Sequence, residues 1–102
     1  MEPAEKLIID HLQGEQDHHT LLLSGDLDVQ TAPQLRTLID RLIHDGNVNL
    51  ILDLSRLSYL DSSGYGAIVD ATRRTKATAG RLGLANMPAW MGDFFDLSVL
   101  DQ

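Results

Sequence analysis

The eight residues "VNLILDLS" (Val48–Ser55) most narrow what this chain can fold into. They form a nearly continuous apolar run with turn residues on both sides, and a helical pattern stands before and after it. A short run of this kind reads as a strand buried on both faces, as in sheets covered by helices. Upstream, "TAPQLRTLIDRLIHDG" puts Leu35, Ile39, Leu42 and Ile43 on one stripe and Arg36, Asp40 and Arg41 off it. Downstream, the spacing predicts a helix from about Ser62 to Thr78, with Tyr65, Ile68, Val69 and Thr72 at i, i+3, i+4 and i+7. Strands separated by helices imply parallel pairing through right-handed crossovers.

The remaining segments extend this order. "KLIIDHL" (Lys6–Leu12) and "HTLLLSG" (His19–Gly25) read as an antiparallel pair of strands joined by the polar "QGEQDH". "RLGLAN" (Arg81–Asn86) is a short strand, and Pro88 opens a third helical segment carrying Trp90, Met91, Phe94 and Phe95. Thr31 and Gln34 have capping-box spacing, Pro33 suits a first turn, and Gly46 and Gly80 suit helix ends. Arg73, Arg74 and Lys76 match the negative end of the second helix's dipole. The expectation is an α/β fold: one domain over residues 1–102, with a small mixed sheet in the order β-β-α-β-α-β-α and helices packed on it.

A chain of 102 residues suffices for one core and not for two. Eight Lys plus Arg against 15 Asp plus Glu give a net charge of −7, which argues against a direct reader of DNA or RNA and suits a protein partner with a basic patch. With no cysteine there is neither disulfide framework nor thiol chemistry. The start, "MEPAEKLIID", has no secretory pattern, and no apolar run approaches the roughly 18 residues of a membrane span. A cytoplasmic location without membrane insertion is expected.

The stretch "LDSSGYGAIVDA" (Leu60–Ala71) falls where the buried strand passes into the second helix, the place where α/β sheets tend to carry function. Gly64-Tyr65-Gly66 begins a dinucleotide fingerprint, but Val69 stands at the third glycine and no acidic residue follows at the ribose position. No P-loop lysine follows either. A serine hydrolase needs a base, and the four histidines, His11, His18, His19 and His44, all lie upstream of Ser62. His18 and His19 are adjacent entrants to a strand and point to opposite faces, so they read as solvated loop histidines rather than metal ligands. Asp26 and Asp28 in "SGDLD" read as turn and cap groups rather than a catalytic pair. Neither a catalytic residue nor a metal or cofactor site is assigned.

Two readings of the stretch remain. Asp61 or Ser62 can cap the helix, with Gly64 and Gly66 letting it approach the sheet, which leaves the second hydroxyl unexplained. A serine at an exposed helix N-terminus can also carry a phosphate, whose charge the N–H groups and dipole tolerate while a docked partner would not.

"SGDLDVQTAPQL" and "LILDLSRLSYLDSSGYGAIVDA", at this spacing, resemble the anti-sigma factor antagonists, single-domain members of the STAS family, over about Leu7 to Leu100. Asp26 stands for the family's common Glu and Tyr65 for its common Leu. The resemblance implies a bacterial partner-switching regulator. The unphosphorylated chain would bind an anti-sigma factor with an ATP-binding serine kinase fold and so free the sigma factor. Phosphorylation of Ser62 would abolish binding, and a metal-dependent serine phosphatase would restore it. Asp26, Asp28, Asp61, Ser62, Ser63, Gly64 and Tyr65 would form the docking surface. ATP and Mg²⁺ would belong to the kinase, so the chain would be substrate and ligand rather than enzyme. A STAS-like structural or transporter- and ATPase-associated subunit is the alternative. Relative to the family the C-terminal part is short, so the apolar surface near Phe94, Phe95 and Leu100 either caps the core or meets another subunit, as in a homodimer.

Overall fold

The computed structural model describes residues 5–47 and 49–93. Four strands, β1 (Leu7–Gln13), β2 (His18–Leu27), β3 (Asn49–Leu60) and β4 (Arg81–Ala85), form one sheet in the order β1-β2-β3-β4. β1 and β2 are antiparallel, whereas β2, β3 and β4 run parallel. Helix α1 (Ala32–His44) connects β2 to β3, and α2 (Ser62–Ala77) connects β3 to β4. The mixed α/β order expected from the sequence is therefore formed through β4.

β3 departs from its expected bounds in an informative way. Its first residue, expected at Val48, lies outside the described residues, and its far end runs five residues past Ser55. Against β2, Leu22 pairs with Asp53 but Ser24 with Arg56, and Gly25 with Leu57 but Asp26 with Tyr59. Each step inserts one extra residue into β3, which is a bulge. The buried positions accordingly run Leu50, Leu52, Leu54, then Leu57 and Leu60, spacings of two followed by spacings of three. Alternation fails in "SRLSYL" because the strand is bulged there.

Burial on both faces of β3 is also corrected. Leu50, Leu52 and Leu54 are buried while Ile51 and Asp53 are only half-buried. The buried set shares one cluster with Leu35, Ile39 and Leu42 of α1 and with Ala67, Ile68 and Ala71 of α2. Both helices thus lie on one face of the sheet. The buried side of α2 mixes small residues, Gly64, Ala67 and Ala71, with Ile68, Val69, Thr72 and Thr75. The two buried hydroxyls are satisfied by carbonyls one turn back, Thr72 on Ile68 (3.0 Å) and Thr75 on Ala71 (3.0 Å). Across the outer groove, Arg36 pairs with Asp70 and Arg74 with Asp40.

Several local expectations change. The capping box of Thr31 and Gln34 does not form. Thr31 Oγ1 accepts from the Asp28 N–H (2.9 Å) and donates to the Asp26 carbonyl (2.8 Å), while the Gln34 amide donates to the Leu7 carbonyl (3.1 Å). Asp28 serves the start of α1 instead: its Oδ1 accepts from the N–H groups of Gln30 (2.9 Å) and Thr31 (3.1 Å). The Thr31 hydroxyl is engaged upstream, and the Gln34 N–H goes to the Thr31 carbonyl (2.9 Å) instead. Gly46 (φ +87°) ends α1 as expected, but beyond α2 the left-handed residue is Ala79 (φ +61°), one before Gly80. After Pro88 the described chain makes a 3-10 turn, Ala89–Asp93, that buries Met91 in the core. Phe94, Phe95 and Leu100 lie outside the described residues.

Histidine 19 is the clearest correction. It is not a solvated loop residue but the second residue of β2, 3% exposed. Its Nδ1 lies 2.7 Å from Nε2 of His11 on β1, and its Nε2 is buried without a partner among the described residues. His18 points the other way, exposed, with Nδ1 3.0 Å from the Glu15 carbonyl.

Candidate functional site

β2 and β3 are parallel, so the residues following them emerge at the same edge of the sheet. That edge joins the loop after Leu27 to the start of α2 after Leu60. Asp61 has extended backbone (φ −111°, ψ −176°) and caps α2: its Oδ1 accepts from the Gly64 N–H (2.8 Å). Its Oδ2 accepts from the Val29 N–H (3.1 Å), and its own N–H donates to the Leu27 carbonyl (3.3 Å). One carboxylate thus ties the helix start to the neighbouring loop.

Gly64 makes this closeness feasible. A Cβ there would lie 2.2 Å from the Leu27 carbonyl oxygen, so any side chain would push α2 away from β2. Gly64 is buried and acts from beneath the surface; Gly66 has room for a Cβ, with its nearest neighbour the Arg36 guanidinium at 3.7 Å. Ser62, the first residue of α2, is exposed, and among the described residues its hydroxyl has no hydrogen-bond partner. Ser63 is half-buried, and Tyr65 is half-buried against the core.

The loop beside Ser62 is held by charge. Asp28, 7% exposed, receives a hydrogen bond from the Lys6 ammonium (2.5 Å) on Oδ2. That bond, helped by the N–H groups of Thr31 and Gln30, holds its carboxyl below the ordinary 3.8. Asp26 sits at the last bulge, opposite Tyr59. Two exposed side chains outside the motif, which the sequence reading did not single out, lie near it in the chain: Val29, 66% exposed, whose backbone is bonded to Asp61, and Tyr59, 51% exposed and opposite Asp26 in the strand register. An apolar residue in an otherwise polar loop was the available signal for Val29; Tyr59 lies in the bulged part of β3, where no period marks it.

Among the described residues, the histidines of β2 are out of reach of Ser62. β2 runs from His18 and His19 at one edge to Leu27 at the other, so these histidines stand roughly 26 Å from the Ser62 end by strand rise. The site is an exposed hydroxyl on a helix end, next to the Asp61 carboxylate, to which the exposed Val29 is bonded through its backbone. Such a surface can be modified and can dock a partner.

Residues 11–102 match the family model described as Mlab, STAS domain. Over 79 residues the chain is 38% identical to the anti-sigma F factor antagonist of Lysinibacillus sphaericus, covering 76% of this chain and 68% of that one. Over 92 residues it is 33% identical to the anti-sigma-B factor antagonist of Bacillus subtilis, covering 90% and 83%.

The chain belongs to the STAS-domain family of anti-sigma factor antagonists.

Its fold agrees with that of a family member of known structure. The Bacillus cell fate determinant SpoIIAA, solved in its phosphorylated form, superposes with a TM-score of 0.76 at 32% identity, over 92% of this chain and 86% of SpoIIAA. The unphosphorylated form of SpoIIAA superposes with a TM-score of 0.73. In this STAS domain, the edge that carries Asp28, Asp61 and Ser62 follows the carboxyl ends of two parallel strands. Among the described residues no helix is long and apolar enough to cross a membrane.

Proposed function

We propose that this STAS domain antagonises an anti-sigma factor and that phosphorylation of Ser62 switches the antagonism off. The observation that carries the reading is the position of Ser62: exposed, unpartnered among the described residues, and first in a 16-residue helix already capped by Asp61. A phosphate there adds about −1.5 to −2 charges at a place where helix N–H groups tolerate them, so the fold survives. A partner seated on Val29, Tyr59 and Ser62 would meet that dianion beside Asp26, Asp28 and Asp61, and would have to strip its water. Binding is lost while the domain stays intact.

In this reading the partner has an ATP-binding serine kinase fold and phosphorylates the chain that binds it. A metal-dependent phosphatase resets the switch, and both act in the cytoplasm. Asp26, Asp28, Asp61, Ser63 and Tyr65 shape the docking surface, with Gly64 supporting it from below. The chain is bound and modified; the chemistry belongs to its partners. Two relatives bear the name anti-sigma factor antagonist, and SpoIIAA is known in phosphorylated and unphosphorylated forms.

The test is a pull-down from source-cell lysate followed by incubation of the captured protein with Mg-ATP. An anti-sigma factor should be retained, phosphate should map to Ser62, and Ser62→Ala should bind but stay unmodified. Retention of a transporter or ATPase subunit, with no phosphate on Ser62, would replace this reading by that of a transport-associated subunit.

A further inference from the structure

We propose that Lys6 is the positioning residue of the Ser62 face: its ammonium fixes Asp28, and through Asp28 the loop of residues 28–31 that holds Val29 beside Ser62. The proposal rests on the reading of that face as the docking surface.

Lys6 is itself pinned. Its carbonyl accepts from the Asp26 N–H (2.7 Å), an approach allowed because Gly25 (φ +108°) has no side chain; a Cβ there would lie 2.1 Å from that oxygen. From this anchor Nζ reaches Asp28 Oδ2 (2.5 Å) and Gln30 Oε1 (2.8 Å). Asp28 then has one oxygen on the ammonium and the other on the N–H groups of Gln30 and Thr31. The intervening Val29 N–H goes to Asp61. The loop is strung between two carboxylates, and Lys6 orients the first of them. The bond to Asp28, followed by the charges of Asp28, Asp26 and Asp61, outweighs desolvation and holds the ammonium above its ordinary 10.5, so it stays charged at neutral pH.

An exposed pair of this kind adds little to global stability, and Lys6 is 44% exposed. Its value lies in pre-organisation: a loop already in its docking geometry does not have to be ordered when the partner arrives. Without Lys6, Oδ2 of Asp28 loses that bond, and the rotamer that receives Gln30 and Thr31 is no longer fixed.

The experiment uses the full unphosphorylated chain as Lys6→Met, Lys6→Arg, Asp28→Asn and the Lys6→Met/Asp28→Asn double variant. In Lys6→Met, amide exchange at Gln30 and Thr31 should quicken about tenfold, and the Asp28 carboxyl should titrate closer to 3.8. Lys6→Arg should restore both, and Tm should move by a few degrees at most. Affinity for the anti-sigma factor retained by the wild-type chain should fall about tenfold in Lys6→Met and recover in Lys6→Arg. In the Asp28→Asn background the Lys6→Met loss should nearly vanish. Unchanged exchange and titration would overturn the proposal. So would altered exchange with unaltered affinity, or an affinity loss of equal size in both backgrounds, which would mean that Lys6 touches the partner itself. If the wild-type chain retains no anti-sigma factor, the docking reading falls, and the exchange and titration measurements still decide whether Lys6 holds the loop.

Discussion

Gly64 and His19 show how much a single position can constrain this domain, in opposite directions. At Gly64 the missing side chain is the structural feature. Gly64→Ala would place a methyl 2.2 Å from the Leu27 carbonyl oxygen, and backbone cannot move aside cheaply. Overpacking of this kind costs about 1–3 kcal/mol, which urea unfolding should register as a lower midpoint with an unchanged slope. His19 is the reverse case, with more polarity than its place can satisfy. One ring nitrogen meets His11 and the other is buried without a partner among the described residues. A buried unsatisfied polar group costs about 1–3 kcal/mol, so His19→Leu should raise the unfolding free energy, by ~1 kcal/mol after the loss of the His11 contact. A clear loss of stability in that variant would mean that the pair matters more than its orphaned nitrogen.

Ionised groups join elements at two places, the Ser62 edge and the end of β4, and pH tests both joints. Asp28 binds Lys6, and Asp53 of β3 accepts from the Ser55 N–H (2.9 Å) and the Asn86 amide (3.1 Å) just after β4. The Lys6 bond in one case and the Ser55 backbone bond in the other hold these carboxyls below 3.8. The unfolded chain therefore takes up protons first as pH falls. The stabilisation is fully present above about 3.8 and is lost as pH drops through the lower folded values. Lys6 has the opposite sign: its share is complete below 10.5 and is lost as pH rises through its higher folded value. Thermal melts of wild type should hold level from about pH 5 to 9 as far as these groups are concerned, and Asp28→Asn, which keeps an acceptor for Gln30 and Thr31, should show a shallower acid limb. The same scale shows what the sequence could reveal. Element order was legible because "LILDL" and the Leu35/Ile39/Leu42 stripe carry different periods. The last third of β3 was not, because two bulges turn its burial spacing from two to three. Thr31 looked like the side-chain cap of α1, but its hydroxyl is taken by the Asp28 N–H and the Asp26 carbonyl, an arrangement only the folded loop supplies.

At the scale of the whole molecule, a chain of net charge −7 presents at one sheet edge an exposed serine framed by Asp26, Asp28 and Asp61. The serine and its acidic neighbours were legible as a motif; the tie between Val29 and Asp61 was not, since only the folded loop brings them together. The arrangement separates fold from recognition: Ser62 makes no contact that the described core needs, so a charge added there should act on the partner alone. Like charges brought together at an interface cost several kcal/mol. The direct measurement is calorimetric titration of the captured anti-sigma factor with the wild-type chain and with Ser62→Asp, alongside thermal melts of both chains alone. Ser62→Asp should bind about a hundredfold more weakly, or ~2.7 kcal/mol, with Tm within a few degrees of wild type. Equal affinity of the two chains would contradict the switch.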